Sequence, residues 1–538
     1  MKTAYVNANV ITINPNQPRA EAFLVEDDRF VKVGSREEVL AAAGSDAAVV
    51  DLSGNTVLPG FNDSHLHLLN FAYSRTKINL YGAGSIAEIQ ERSRQWLSER
   101  KPAPGTWISG AGWNQSSFPE KRTPNRGDLD SISTEYPMIF TRVCEHIVAV
   151  NSKALEVIGI DDSTPNPEGG EIERDADGHA TGVLKENARY LAYSKVPDKS
   201  VAEIKEMLYD AIDFVSKLGL TSVQTDDFET FSSKNWNNVI QAYQELEAEG
   251  KLKVRVYEQC LLPQIDRFKQ FLSAGYKTGV GSDMFKIGPL KLLTDGSIGQ
   301  RTAYLSEPYS DDPNTCGIHV FTQDELDELI GTAYANGMQV VCHAIGDGAM
   351  NMVLNAYEKA EREHPVEDPR SGIIHVQITT KEILNRMLKN HILAYAEPVC
   401  VGADMHCVED RVGKERMKES YAYRTMNEMG LRVPLSSDCP VDSVNPIDSA
   451  YIAVNRKDLT GWPEGGWYPE ERLTIEQVLK GFTLDSAYAS FEDGTKGSVE
   501  AGKYADFVVL NGDPTAVDPN DLRSISAVGT YLAGKQVN

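Results

Sequence analysis

The chain has 538 residues, with 53 Lys and Arg against 78 Asp and Glu, for a formal charge of −25. That length exceeds one ordinary domain, and 41 % apolar against 24 % charged residues excludes global disorder, since enough apolar surface exists to offset the entropy of ordering. The acid excess and the absence of a long basic run exclude nucleic acid as a partner, and no window approaches the roughly eighteen apolar residues of a membrane span. Seven cysteines stand singly, without a CxxC pair, and the N-terminus reaches Asn7 and Asn9 before any signal-like apolar run, so a cytoplasmic protein is expected.

In chain order, residues 3–59 alternate in short runs broken by turns, the pattern of small antiparallel strands. The last sixty residues read the same way, and two β-rich ends with too few strands each predict one composite β-sandwich from residues 1–59 and 485–538. Between them, short β-branched runs alternate with amphipathic helices. Candidate strands cover 56–63, 220–227, 251–260, 289–296, 338–347, 372–377, 392–398 and 432–440. Eight strands alternating with helices predict an α/β fold of the (β/α)8 TIM-barrel type over residues 60–71 and 196–484, with its chemistry at the C-terminal strand ends. The gap from 72 to 195 is too long for a βα connection and predicts a long insertion after the first barrel strand, covering the barrel mouth.

The histidines then acquire places. His65 and His67, in DSHLHLL, are two apart at the end of the first barrel strand, so both imidazoles face one way. An HxH pair alone is weak evidence of a metal site. His343 follows MQVVC, His375 follows GII, and Asp438 follows PLSS, each at a strand end. Four histidines and an aspartate so placed are hard to assign to packing, and imidazole with carboxylate suits zinc or another borderline divalent ion. Lys291, in PLKLLTDGS, is on the fourth strand; spacing alone makes it a snorkelling lysine or a partner of Asp295, which is itself read as a loop-fixing turn residue. Cys342 precedes His343 and points away from the axis.

These residues resemble the amidohydrolase superfamily, and within it the YtcJ-like group. The likeness runs from VLPGFNDSHLHL through GAGWNQSSFP, EHIVAVNSKAL, GGEIERDADGHATGVLKENA, LKLLTDGSIGQRTA, CHAIGD and SSDCPV to KGSVEAGKYADFVVL. It implies a site in which His65, His67 and Asp438 hold one metal, His343 and His375 a second, and Lys291, as N6-carboxylysine, bridges them. A single-ion site from His65, His67, a later histidine and Asp438 stays open, with zinc first among the candidate metals. The implied reaction is hydrolysis of a non-peptide C–N bond in a small molecule by metal-activated water, with Asp438 as catalytic proton shuttle. A lyase or isomerase on the same site, or a non-catalytic binding relative, are the alternatives. Homodimerisation, common in the family, stays open.

Trp113, His146, Glu186, Arg301 and His406 are candidate substrate-binding residues, each weighed against packing, a structural hydrogen bond or a loop salt bridge. His179, His319, His364 and His391 are read as structural.

Overall fold

The computed structural model describes residues 2–538. The chain divides into two compact units. The first comprises the N-terminal segment through Leu68, Leu208–Glu229 and Asn235–Asn538; the second comprises Leu69–Met207 and Thr230–Lys234.

At the heart of the first unit is a seven-stranded parallel, barrel-like sheet. Its strands follow one another in chain order: Phe61–Leu66, Leu220–Thr225, Arg255–Leu261, Phe285–Leu293, Val340–Ala344, Gly372–His375 and Leu393–Tyr395. Phe61–Leu66, Leu220–Thr225 and Arg255–Leu261 are buried at every position, as strands covered on both faces are, although each also buries polar residues such as Asp63, Gln224 and Glu258. Helices alternate with them, and their starts are fixed by side-chain caps: Thr322 with Glu325 forms a capping box for Gln323–Ala335, and Thr380 caps Lys381–Lys389.

Two expected strands take a different form. Residues 56–63 are not one strand but two, Thr56–Pro59 and Phe61–Leu66, in separate sheets. The break falls at Gly60, where an added Cβ would lie 2.1 Å from the Thr221 hydroxyl, so only glycine permits the close approach. Residues 432–440 form no ladder strand. Pro434 has no N–H to contribute, yet the segment still joins both sheet edges: Ala394 N donates to Arg432 O at 3.0 Å, Ser436 N to Ala396 O at 3.0 Å, and Ser64 N to Leu435 O at 3.1 Å. Asp438 N donates to His65 O at 3.0 Å and so is brought beside the first strand.

Both chain ends meet in the same unit. A six-stranded sheet runs in the order Lys535–Gln536, Ala527–Leu532, Phe507–Leu510, Thr56–Pro59, Asn9–Ile11, Arg19–Ala20, and a four-stranded sheet is built from N-terminal strands. Tyr5, Phe23 and Phe30 of the smaller sheet share a core with Val57, Phe507 and Val509 of the larger, with Tyr5 and Phe23 ring centroids 4.9 Å apart. Burying each large ring is worth about 1.5–3 kcal/mol, and neither end could supply that core alone.

The second unit has its own six-stranded mixed sheet, Gly170–Arg174, Ala180–Glu186, Ile147–Val150, Met138–Arg142, Ile108–Trp113 and Ile78–Asn79 in spatial order, and its own apolar cores. No helix of the described residues is long and apolar enough to cross a membrane.

Candidate metal centre

His65, Lys291, His343 and His375 all lie in strands of the parallel sheet, toward their C-terminal ends, with His67 one residue past such an end and Asp438 in the segment bridging the sheet's edges. Each of the four imidazoles has one ring nitrogen engaged by a protein acceptor. His65 Nδ1 is 2.7 Å from Gln259 Oε1, and Gln259 Nε2 in turn donates to Ser64 O at 2.9 Å. His67 Nδ1 pairs with Asp226 Oδ1, His375 Nδ1 lies 2.6 Å from Glu397 Oε2, and His343 Nε2 lies 3.2 Å from Gly296 O and 3.3 Å from Asp295 Oδ1. Such contacts fix the tautomer and free the opposite nitrogen.

The freed nitrogens of His65 and His67 converge. His65 Nε2 is 3.4 Å and His67 Nε2 3.0 Å from the same Asp438 Oδ1, and the rings of His65 and His67 are 5.1 Å apart. The His343 and His375 rings are 4.2 Å apart, and those of His65 and His375 6.0 Å. Because Gln259 Oε1 takes the Nδ1 proton, neutral His65 presents a lone pair at Nε2, facing a carboxylate oxygen that is also an acceptor. Two acceptors at that distance call for a positive charge between them.

The electrostatics point the same way. Burial, followed by the neighbouring Lys291, pulls the His65 pKa down to about 4, and burial with His343 holds His375 well below the ordinary range. Both are therefore neutral, as metal ligands must be. Burial alone would lower the His67 pKa too, but Asp226 and Asp438 on its two sides lift it well above the usual value. Burial pushes the Asp63 carboxyl up to about 7 and raises Glu397 well above the carboxylate range. Lys291 is wholly buried, its Nζ 3.2 Å from His65 Nε2 and 3.8 Å from Asp226 Oδ2, and burial lowers its pKa. Asp226 Oδ2 and Asp63 Oδ2 are buried without a hydrogen-bond partner, an expensive state for an anionic oxygen. Backbone strain collects here as well: His375 has φ 80° and Asp438 φ 54°, left-handed conformations that cost about 1–3 kcal/mol each outside glycine.

Two triads have donor atoms within 4.8 Å of one another: His65, His67 and Asp226, and His65, His375 and Glu397. Asp226 and Glu397 are thus members of the centre that the histidine-led sequence argument passed over. Their signal is available, since each falls near the C-terminal end of a candidate strand, in LTSVQTDD and ILAYAEP, where a barrel places chemistry. Gln259 carried no comparable signal.

The remaining candidates are placed as follows. Trp113 is fully buried in the second unit's core, its indole N–H donating to Phe140 O at 2.9 Å, so it packs and presents no wall to a ligand. His146 Nδ1 and Glu186 Oε2 are 2.8 Å apart, both more than half exposed, in the second unit. Arg301 is engaged by Asp311 through two bonds of 3.0 and 2.9 Å, with Arg411 on the same carboxylate. His406 lies 3.1 Å from Asp458 Oδ2 and stacks on Trp462 at 4.8 Å. Asp295, read as a loop-fixing residue, accepts from the backbone N–H of Tyr304, Ile345 and Gly346.

A parallel barrel-like sheet carrying histidines and buried carboxylates at its strand ends offers the donor set of a metal centre where such folds carry their chemistry. The chain belongs to the amidohydrolase family, whose model matches residues 48–538. It is 33 % identical to the putative amidohydrolase YtcJ of Bacillus subtilis, over 100 % of this chain and 99 % of that one. It is 30 % identical to the N-substituted formamide deformylase of Arthrobacter pascens, over 98 % and 97 % of the two chains. Among solved structures, an uncharacterized metal-dependent hydrolase from Pyrococcus furiosus superposes with a TM-score of 0.79 at 28 % identity, covering 96 % of this chain and 100 % of the other.

Proposed function

We propose that the protein is a binuclear metal-dependent amidohydrolase on a (β/α)8 scaffold, cleaving the non-peptide C–N bond of a small amide-like substrate. One observation carries the reading: four imidazoles, each engaged on one nitrogen by a protein acceptor, with His65 and His67 turning the other toward the single Asp438 carboxylate. A divalent ion fits that set better than protons, because it satisfies lone pairs that otherwise oppose one another. The holding residues are His65, His67 and Asp438 on one side and His343 and His375 on the other, with Asp226, Glu397 and Gln259 orienting the rings. Zinc suits these donors first.

Lys291 is the one lysine among them. Carboxylation would turn it into an anionic bridge, and burial, which lowers the Lys291 pKa, favours the neutral amine that attack on carbon dioxide requires. When bound, divalent ions lower the pKa of water from about 15.7 toward 7 and polarise the substrate carbonyl. Asp438 Oδ2, the oxygen that does not face the two imidazoles, takes the proton of the attacking water and returns it to the leaving nitrogen, which departs poorly unless protonated. The named activity of the Arthrobacter relative makes N-substituted formamides the first substrates to test.

The experiment is hydrolysis of N-substituted formamides and N-acyl amines in oxygen-18 water, with metal analysis of the same protein. One label oxygen in the carboxylate product, and metal lost in His65→Ala, are expected. Product without label would show a lyase or isomerase, and protein purified without chelator that holds no metal would show a binding relative.

A further inference from the structure

The second unit contains a cavity of about 360 Å³ that lies outside the metal-centre residues. Its walls include Tyr73, Tyr193 and Phe231, with Tyr73 and Phe231 packed edge to face at 5.4 Å. Two cations line it, Lys77 and Arg189, and neither forms an ion pair among the described residues. In a chain with 78 acidic side chains, two unpaired cations on one aromatic cavity need a reason. The Lys77 ammonium sits 4.3 Å over the Tyr73 ring, and Arg189 spends its two terminal nitrogens on Glu145 O and Tyr190 OH, leaving Nε buried without a partner. Thr230 Oγ1, at the same wall, is also buried without one.

Two polar atoms of the wall, Arg189 Nε and Thr230 Oγ1, are thus left for a ligand to engage. The carboxylates at the cavity, Glu145 and Asp198, are exposed side chains, and Asp198 already accepts from Ser233 N at 3.4 Å. An anion entering would gain charge-assisted hydrogen bonds from groups that now lack them. The outer carboxylates would repel a dianion such as phosphate, while the rings favour an apolar body. The volume lies within the range of small-molecule sites.

We propose that this cavity binds a monocarboxylate with an aromatic or branched apolar body, its carboxylate held by Lys77 and Arg189. Burial lowers the Lys77 pKa and Glu145 partly restores it, so a bound carboxylate would supply the compensation this ammonium lacks.

Phenylacetate is the probe, titrated calorimetrically into the full-length protein. The expected result is binding that weakens roughly tenfold or more in Lys77→Met and in Arg189→Gln, and is kept within about threefold in Lys77→Arg. Phenylacetamide, the neutral isostere, and inorganic phosphate should each bind roughly tenfold more weakly than phenylacetate. Carboxylate capture at the metal centre would be blind to both substitutions, so unchanged affinity in Lys77→Met and Arg189→Gln overturns the proposal. Equal binding of phenylacetamide, or loss of binding in Lys77→Arg with an unchanged melting temperature, does so as well.

Discussion

Asp438 receives both imidazoles of the HxH pair on one oxygen, which leaves its second oxygen for proton transfer. Asp438→Ala should lower kcat by about 10²–10⁴-fold, the usual worth of a positioned proton carrier, with an unchanged circular-dichroism spectrum. Retention of wild-type turnover would remove Asp438 from the reaction. Asp226 acts one step away, through His67 Nδ1, so Asp226→Asn should weaken metal affinity about 10–100-fold while leaving residual turnover at saturating metal, readable by competition with a chromophoric chelator. For Lys291, protein equilibrated with carbon-13 bicarbonate should show a carbamate carbon resonance that Lys291→Arg lacks. The histidines could be read in the sequence because strand ends are marked by β-branched runs and imidazole is rare there by chance. Asp226 and Glu397 were harder, because acids also end strands as ordinary turn and cap residues. For Trp113, packing is the safer of its two readings, and the structure shows it: the ring is fully buried in the second unit's core.

At the scale of elements, strand and helix alternation is legible because short β-branched runs and amphipathic helices differ in period, and seven of the eight expected strand windows overlap a strand of the parallel sheet. The two windows that differ contain Gly60 and Pro434, residues whose effect depends on what approaches them in space. What the sequence could not mark is the ionic fastening of the segment after Ala489 to the sheet. Glu492 there accepts from Lys286 at 3.0 Å, from Lys496 at 2.6 Å and from Ser490 at 2.8 Å, and Lys496 Nζ also reaches Ser222 Oγ at 2.8 Å on a sheet strand. Burial opposes the Glu492 charge, but Lys496 and Lys286 hold its pKa down to about 2 from 4.5. Since the folded value lies below the unfolded one, its stabilisation is complete above about pH 4.5 and is lost as pH falls through 2. Burial lowers the Lys496 pKa in turn, so the pair contributes less than the Glu492 shift alone suggests. Glu492→Gln leaves that ammonium buried without its carboxylate and should cost about 3–5 kcal/mol in urea unfolding at pH 7, with Glu492→Gln/Lys496→Met recovering part of it. The single variant should also lose the wild-type fall in stability between pH 4.5 and 2.

For the whole molecule, the proposed ligands come from chain positions as far apart as His65 and Asp438, carried on Phe61–Leu66, Phe285–Leu293, Val340–Ala344, Gly372–His375 and the segment that joins the sheet's edges. A metal ion held by such a set cross-links the first unit through contacts that exist only when the sheet is formed. An ion that binds the folded chain alone stabilises it by about 4 kcal/mol when present at 1,000 times its dissociation constant. Without the ion, the protein keeps its apolar cores but must either hold a proton on His67 or leave His67 and Asp438 opposing each other as acceptors. Chelation should therefore lower the melting temperature without abolishing the transition, and zinc should restore it. The apo protein should be destabilised further as pH rises through the elevated His67 pKa, because a raised folded pKa contributes stability only while the proton is bound. Calorimetric scans of chelated and reloaded protein, carried upward in pH from neutrality, read both effects, and His65→Ala should abolish the zinc-dependent rise. A melting temperature indifferent to chelator and zinc in the wild-type chain would mean that these imidazoles do not hold an ion.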